Sequence, residues 1–195
     1  MGRTLFERIS IGVCAGAMLM LGVVAPASAS STSDSLAAAR EARIAKLTQG
    51  GVSTQSADAY CTGRRVLDCW VHEPVVNAPQ HEYVPIQFLK GDHVSIDAGG
   101  CVQTGGRGKT WKRYVDPASD ANLYHGSIQI PGAINDLTQL WMVVGRSVDV
   151  TGDGGNLTLG YQDDQYDDNG YDRHDDGTGN QCKNVENAWV HLVIS

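Results

Sequence analysis

The sequence is short of several things, and each shortage excludes something. Only 15 Lys and Arg stand against 22 Asp and Glu, a formal net charge of −7, so there is no basic face with which to release counterions from a phosphate backbone, and nucleic acid is excluded as a partner. No H-E-x-x-H is present, since His72-Glu73 runs on into Pro74-Val75-Val76, which disfavours a zinc protease. No G-x-S-x-G elbow is present, which disfavours a serine hydrolase. No C-x-x-C or H-x-x-x-H spacing accompanies the cysteines, which argues against zinc. After the N-terminal segment no apolar run approaches membrane-spanning length. With two Phe and 23 Gly in 195 residues, the chain has room for one ordinary domain and short attachments.

Residues 1–29 read as a secretory signal peptide. Arg3 and Arg8 form a positive start, Ile9 to Val24 is apolar, and Ala27-Ser28-Ala29 is a small-x-small cleavage pattern. An uncleaved N-terminal anchor is the alternative, since the apolar run nears bilayer-spanning length, but Pro26 and the small-x-small triplet fit cleavage better, and the mature protein is expected to be secreted, with no membrane span. Cleavage removes Cys14 and leaves Cys61, Cys69, Cys101 and Cys182, an even number in an oxidising compartment. Two disulfides are expected. Three pairings are open in principle; Cys61 with Cys69 and Cys101 with Cys182 is the favoured one.

Residues 30–59, rich in Ser, Ala, Thr and Gly, read as a leader and linker with one helical stretch from Leu36 to Leu47. From residue 60 to 195 the period is two. Val84, Ile86 and Phe88 alternate with Tyr83, Pro85 and Gln87, and Val94, Ile96 and Ala98 with His93, Ser95 and Asp97. Ile128 and Ile130, Leu140 to Val144, Val148 and Val150, Leu157 to Tyr161 and Ala188 to Ile194 continue the series, divided by Gly, Asp, Asn and Pro. The expected fold is an all-β antiparallel sandwich of about seven or eight strands with long Asp/Gly-rich loops. Pro85 places its strand at a sheet edge. Trp141 and Trp189, inside strand runs, are expected in the core.

The segment DDQYDDNGYDRHDD, Asp163 to Asp176, holds seven Asp in fourteen residues and one formal base, Arg173. Crowded carboxylates repel one another unless a cation sits among them. Calcium takes six to eight oxygen ligands, and short Asp and Asn side chains on a Gly-containing loop suit it. The candidate ligands are Asp163, Asp164, Tyr166, Asp167, Asp168, Asn169, Asp175 and Asp176. A solvated acidic loop is the plainer alternative. The segment is not an EF-hand: with Gly170 at the invariant glycine, Gln165 falls at the first ligand position and Asp176 at the twelfth, where Asp and Glu belong. A near match to a phosphate-binding loop at Gly108-Lys109-Thr110 lacks its first glycine, which falls on Gln103, and has no following helix.

Taken in order, Gly91 to Gly100, Thr104 to Trp111, Gly126 to Gly132, Leu157 to Asp163 and Trp189 to Ile194 resemble the galactophilic calcium-dependent lectins of the LecA type. The resemblance spans about the last hundred residues. It implies a small β-sandwich with calcium at its tip, the ion coordinating two neighbouring sugar hydroxyls. It places a loop carbonyl ligand on Thr104, an Asp ligand on Asp163 and later ligands within Tyr166 to Asn169. The acidic loop is longer than the family's, and the family's His-Pro-Asp-Gln stretch that grips the sugar is replaced by Asp120 to His125.

For a sugar, aromatic faces could stack on pyranose C–H groups. The candidates are Trp111, Tyr114, Tyr166 and Tyr171, with core residence the alternative for Trp111; His125 and His174 could bond to sugar hydroxyls. The expected function is calcium-dependent carbohydrate binding without turnover, in a protein for which an oligomer is possible. A calcium-stiffened structural module is the first alternative. A glycosidase is the second, but that chemistry needs two carboxyls on opposite sides of a scissile bond rather than in one loop.

Overall fold

Alternation along β2 (Leu67–His72) shows how this sequence makes strands. Leu67, Cys69 and Val71 are buried, whereas Asp68, Trp70 and His72 between them face outward. The same period-two division appears in β4 (His93–Gly99), with Val94, Ile96 and Ala98 inward, and in β11 (Trp189–Ile194), with Val190, Leu192 and Ile194 inward. The computed structural model describes residues 35, 38–42, 45, 59–105, 111–116, 123–171 and 181–195; the signal-peptide expectation for 1–29 lies outside them. The remaining strands are β1 (Ala59–Thr62), β3 (Gln80–Gln87), β5 (Cys101–Gln103), β6 (Trp111–Arg113), β7 (His125–Ile130), β8 (Ile134–Gln139), β9 (Arg146–Asp149) and β10 (Asn156–Gln162).

These strands build an antiparallel β-sandwich. One sheet has the order β1-β2-β11-β4-β9, the other β3-β10-β7-β8, and β5-β6 forms a small ribbon. Val190, Leu192 and Ile194 of β11 share one buried cluster with Ile128, Ile130, Leu157 and Leu159 of the opposite sheet. Each such side chain, fully withdrawn from water, contributes about 1.5–3 kcal/mol. Among the described residues no helix is long and apolar enough to cross a membrane.

The eleven described strands exceed the seven or eight expected because β1, β5 and β6 are too short to show a period. Leu140 to Val144 is not a strand. Its unbroken apolar run begins as a 3₁₀ turn, Leu140–Met142, with Leu140 buried and Trp141 54% exposed. The expectation of Trp141 in the core is thus corrected; its indole N–H bonds to Gln139 Oε1 at 2.6 Å. Trp189 is corrected too, being half-buried on the outer side of β11. Strand β3 does lie at a sheet edge. Its register against β10 slips, Asn156 pairing with Gln87 but Leu157 with Tyr83, so Pro85 sits in a bulge where its missing N–H costs no ladder bond. The bulge also turns Tyr83, rather than Val84, into the core.

Two disulfides close the framework in the favoured pairing. Cys61–Cys69 joins directly opposed residues of β1 and β2. Cys101–Cys182 spans 81 positions and ties the start of β5 to the chain returning from the acidic loop. Trp111 packs against it in a separate small cluster. At the other end of β4, Asp92 is wholly buried: Oδ1 takes the Arg40 guanidinium at 2.5 Å and Oδ2 the Leu89 N–H at 2.8 Å. Arg40, 5% exposed on the helical residues 38–42, also donates to the Arg65 carbonyl at 3.1 Å.

Candidate functional site

The acidic loop starts where β10 stops, and its described part, Asp163 to Tyr171, is fastened near the start and again at Asn169 to Tyr171. At the start, Asp163 Oδ1 accepts the N–H groups of Asp164 at 2.7 Å and Gln165 at 3.2 Å, the local Asx geometry that short acidic side chains favour. The Tyr166 hydroxyl reaches back to donate to the Tyr161 carbonyl at 3.2 Å and receives the Asp163 N–H at 3.4 Å. Further on, Gln103 and Gly170 exchange two backbone bonds, 3.0 and 3.2 Å. Asn169 Nδ2 donates to the Val76 carbonyl at 3.0 Å and the Tyr171 hydroxyl to the Pro74 carbonyl at 2.8 Å. The Gln103–Gly170 bridge brings buried Thr104 beside the Asn169-Gly170 segment. Two stretches separated by about sixty residues in sequence, both named by the lectin resemblance, thus meet at one end of the sandwich.

Two oxygens in this corner are shielded from solvent and make no hydrogen bond of good geometry among the described residues, Asp163 Oδ2 and Asn169 Oδ1, although the Asn169 and Asp164 side chains lie close enough to act on the Asp163 carboxyl. An acceptor left so costs free energy, more so when charged. Burial raises the Asp163 carboxyl above its ordinary value of 3.8, and the Asp164 side chain adds to the rise. The N–H groups of Gln165 and Asp164 and the adjacent Asn169 side chain oppose it. A carboxylate and an amide oxygen, both hard and both withheld from water, suit a hard cation. Among the described residues no three His, Cys, Asp or Glu converge, so an ion here would rest on a mixed set of carboxylate, amide and carbonyl oxygens, a set that suits calcium better than zinc. Asp164 and Asp167 are exposed and Asp168 half-buried. Asp175, Asp176 and His174 lie outside the described residues.

A cleft of about 320 Å³ opens beside the loop, lined by His125, Ser127, Gln139, Gln162 and Tyr166 among others. Register explains the grouping, since His125 opposes Gln162 and Ser127 opposes both Gly160 and Gln139. The cleft therefore presents an imidazole, a hydroxyl and two carboxamides around an opening that reaches Gln162, the residue before Asp163.

Of the aromatic candidates, only Tyr166 lines that cleft with a ring not committed to the core. Trp111 is 2% exposed against the Cys101–Cys182 disulfide. Tyr114 is fully buried, stacked on Tyr161 with centroids 6.0 Å apart, and pressed so close to Gly126 that a Cβ there would meet its ring at 2.6 Å. Tyr171 packs on the main core with its hydroxyl bound to Pro74. For these three, ligand stacking is corrected to a packing role. Burial drives the Tyr114 and Tyr171 hydroxyls well above their ordinary value, with the charges of Tyr83 on the first and of Tyr114 on the second adding to it. Ser127, Gln139 and Gln162 went unmarked as site residues in the sequence, although polar residues at alternate strand positions were the available signal. Comparison of the chain with protein-family models, with curated proteins and with solved structures returns no match.

Proposed function

We propose that this chain is a secreted calcium-dependent carbohydrate-binding protein of LecA-like type, holding the ion between the acidic loop and the Thr104 segment. The observation that supports the reading is the pair of shielded oxygens, Asp163 Oδ2 and Asn169 Oδ1, which lack a hydrogen-bond partner among the described residues, in a stretch fastened at Asp163 and at Asn169 to Tyr171. Asp163, Asn169 and backbone oxygens near Thr104 would hold the ion. Bound there, calcium would offer coordination positions to two neighbouring hydroxyls of a sugar. The chain's own part is orientation: His125, Ser127, Gln139 and Gln162 supply donors and acceptors for the remaining hydroxyls, and Tyr166 presents an aromatic ring at the edge.

A glycan array run with calcium and again with chelator tests the sugar. Calcium-dependent retention of galactose-terminated or related glycans is expected. Asp163→Ala is expected to weaken calcium binding by about tenfold or more, since an anionic ligand is lost; calorimetric titration measures it, and an unchanged affinity puts the ion elsewhere. Calcium binding with no glycan retained would favour the calcium-stiffened structural module.

The pH dependence has a definite sign. With its value raised in the folded chain, Asp163 contributes stability that is fully present below 3.8 and is lost as pH rises through the raised value. Calcium requires the deprotonated form. Calcium affinity should therefore fall as pH drops through that raised value, and calorimetry in buffers of different ionisation enthalpy should register proton release on binding.

A further inference from the structure

A second cleft lies on the outer face of the five-stranded sheet, at the end where β2 finishes and β11 begins. Its volume is about 320 Å³, and Trp70, His72, Glu73, Glu186, Asn187 and Trp189 line it. Trp189 rests on Gly99, where a Cβ would come 2.9 Å from the ring; glycine at this position lets the indole lie against the sheet. The Trp189 N–H, bonded to Glu186 Oε1 at 2.7 Å, fixes the ring. Trp70 stands 5.7 Å away, centroid to centroid, inclined at 48°, so the two indoles form the sides of an open angle. His191 stacks on Trp70 at 4.1 Å and His72 at 5.4 Å.

The polar wall is as firmly set. Glu73 is a non-glycine residue at φ 51°, a strained conformation that persists only where the surroundings hold it. Here its N–H is bound to the Ala188 carbonyl at 2.9 Å and its Oε1 to Asn187 Nδ2 at 2.6 Å. Both Glu73 and Glu186 are exposed at the rim. Asp68 and Asp97 occupy outward positions of the same face, in register with β11. Among the described residues no Lys or Arg lines the cleft, and its one basic side chain is His72.

We infer that this cleft binds an organic ammonium cation. The Trp189 indole face carries negative quadrupole density and attracts positive charge, Trp70, on which His191 and His72 are stacked, forms the second wall, and the two carboxylates add a Coulombic attraction of the same sign. An anion is disfavoured by both, and a neutral ligand gains only the stacking. The cleft shares no lining residue with the cleft beside the acidic loop, although Glu73 precedes Pro74, whose carbonyl holds the Tyr171 hydroxyl.

Calorimetric titration with choline chloride tests the inference on the intact protein, with 3,3-dimethylbutan-1-ol as the neutral isostere and methyl galactoside as the competing sugar. Choline is expected to bind saturably, equally with and without chelator, and about tenfold more tightly than the neutral alcohol. Trp189→Ala should abolish this binding. The double variant Glu73→Gln, Glu186→Gln keeps both hydrogen-bond acceptors and removes only the charge, so it should fold normally and bind choline about tenfold more weakly. No saturable choline binding, equal binding of the neutral isostere, undiminished affinity in the double Gln variant, or a galactoside that binds here in place of choline would each overturn the inference.

Discussion

Replacing Asp92 with alanine is expected to destabilise the fold by about 3–5 kcal/mol, the cost of leaving one member of a buried ion pair uncompensated. The Arg40 guanidinium sits almost wholly buried against a carboxylate with no exposure at all, and the Asp92 side chain also fastens the Leu89 N–H at the turn into β4. Arg40→Ala should cost a comparable amount. Urea unfolding measures both, with an unchanged slope showing that stability rather than denatured-state compactness has moved. Because Arg40 belongs to the segment preceding the sandwich strands, deletion of residues 30–58 should reproduce the Arg40→Ala loss. A truncated chain as stable as the full one would show that the segment contributes nothing to the fold.

Removal of the Cys101–Cys182 bridge by paired alanine substitution should cost about 4.5 kcal/mol, the loop-closure entropy of a long loop. The bond spans 81 positions and shields Trp111 in its own cluster. It also fixes the chain where it returns from the acidic loop, so calcium affinity should fall with stability. Thermal unfolding and a calcium titration on the same variant separate the two effects. The Cys61–Cys69 bridge closes a separation of only eight and should contribute less, about 2–3 kcal/mol on the same chain-entropy relation.

The sandwich was legible because half-buried strands declare themselves by period. Val190, Leu192 and Ile194 alternate with Trp189, His191 and Val193, and that parity alone places Trp189 outward. Its β-branched, aromatic surroundings point to the core instead, but parity decides; Leu67, Cys69 and Val71 against Asp68, Trp70 and His72 carry the same message for Trp70. Leu140 to Val144 misled because a continuous apolar run has no parity to read. The bulge at Pro85 reversed the facing of Tyr83 and Val84, since one slipped position exchanges the two sides of a strand.

The acidic loop could be singled out by composition, but not its clamps. That Gly170 pairs with Gln103, or that Asn169 reaches the Val76 carbonyl, depends on contacts between distant stretches. The same holds for Arg40 and Asp92, 52 positions apart, where neither residue stands in a pattern that betrays burial. For Trp111 the sequence leaves stacking and core residence open, and the structure has it, with Tyr114, buried, while Tyr171 packs on the core with its hydroxyl bound to Pro74.

Thermal unfolding of the purified protein, once in excess calcium and once after chelation, tests the central claim most directly. At a hundredfold excess over Kd the ion should add about 2.7 kcal/mol, visible as a raised midpoint that Asp163→Ala abolishes. Superimposable curves for the calcium-loaded and chelated protein would contradict the account.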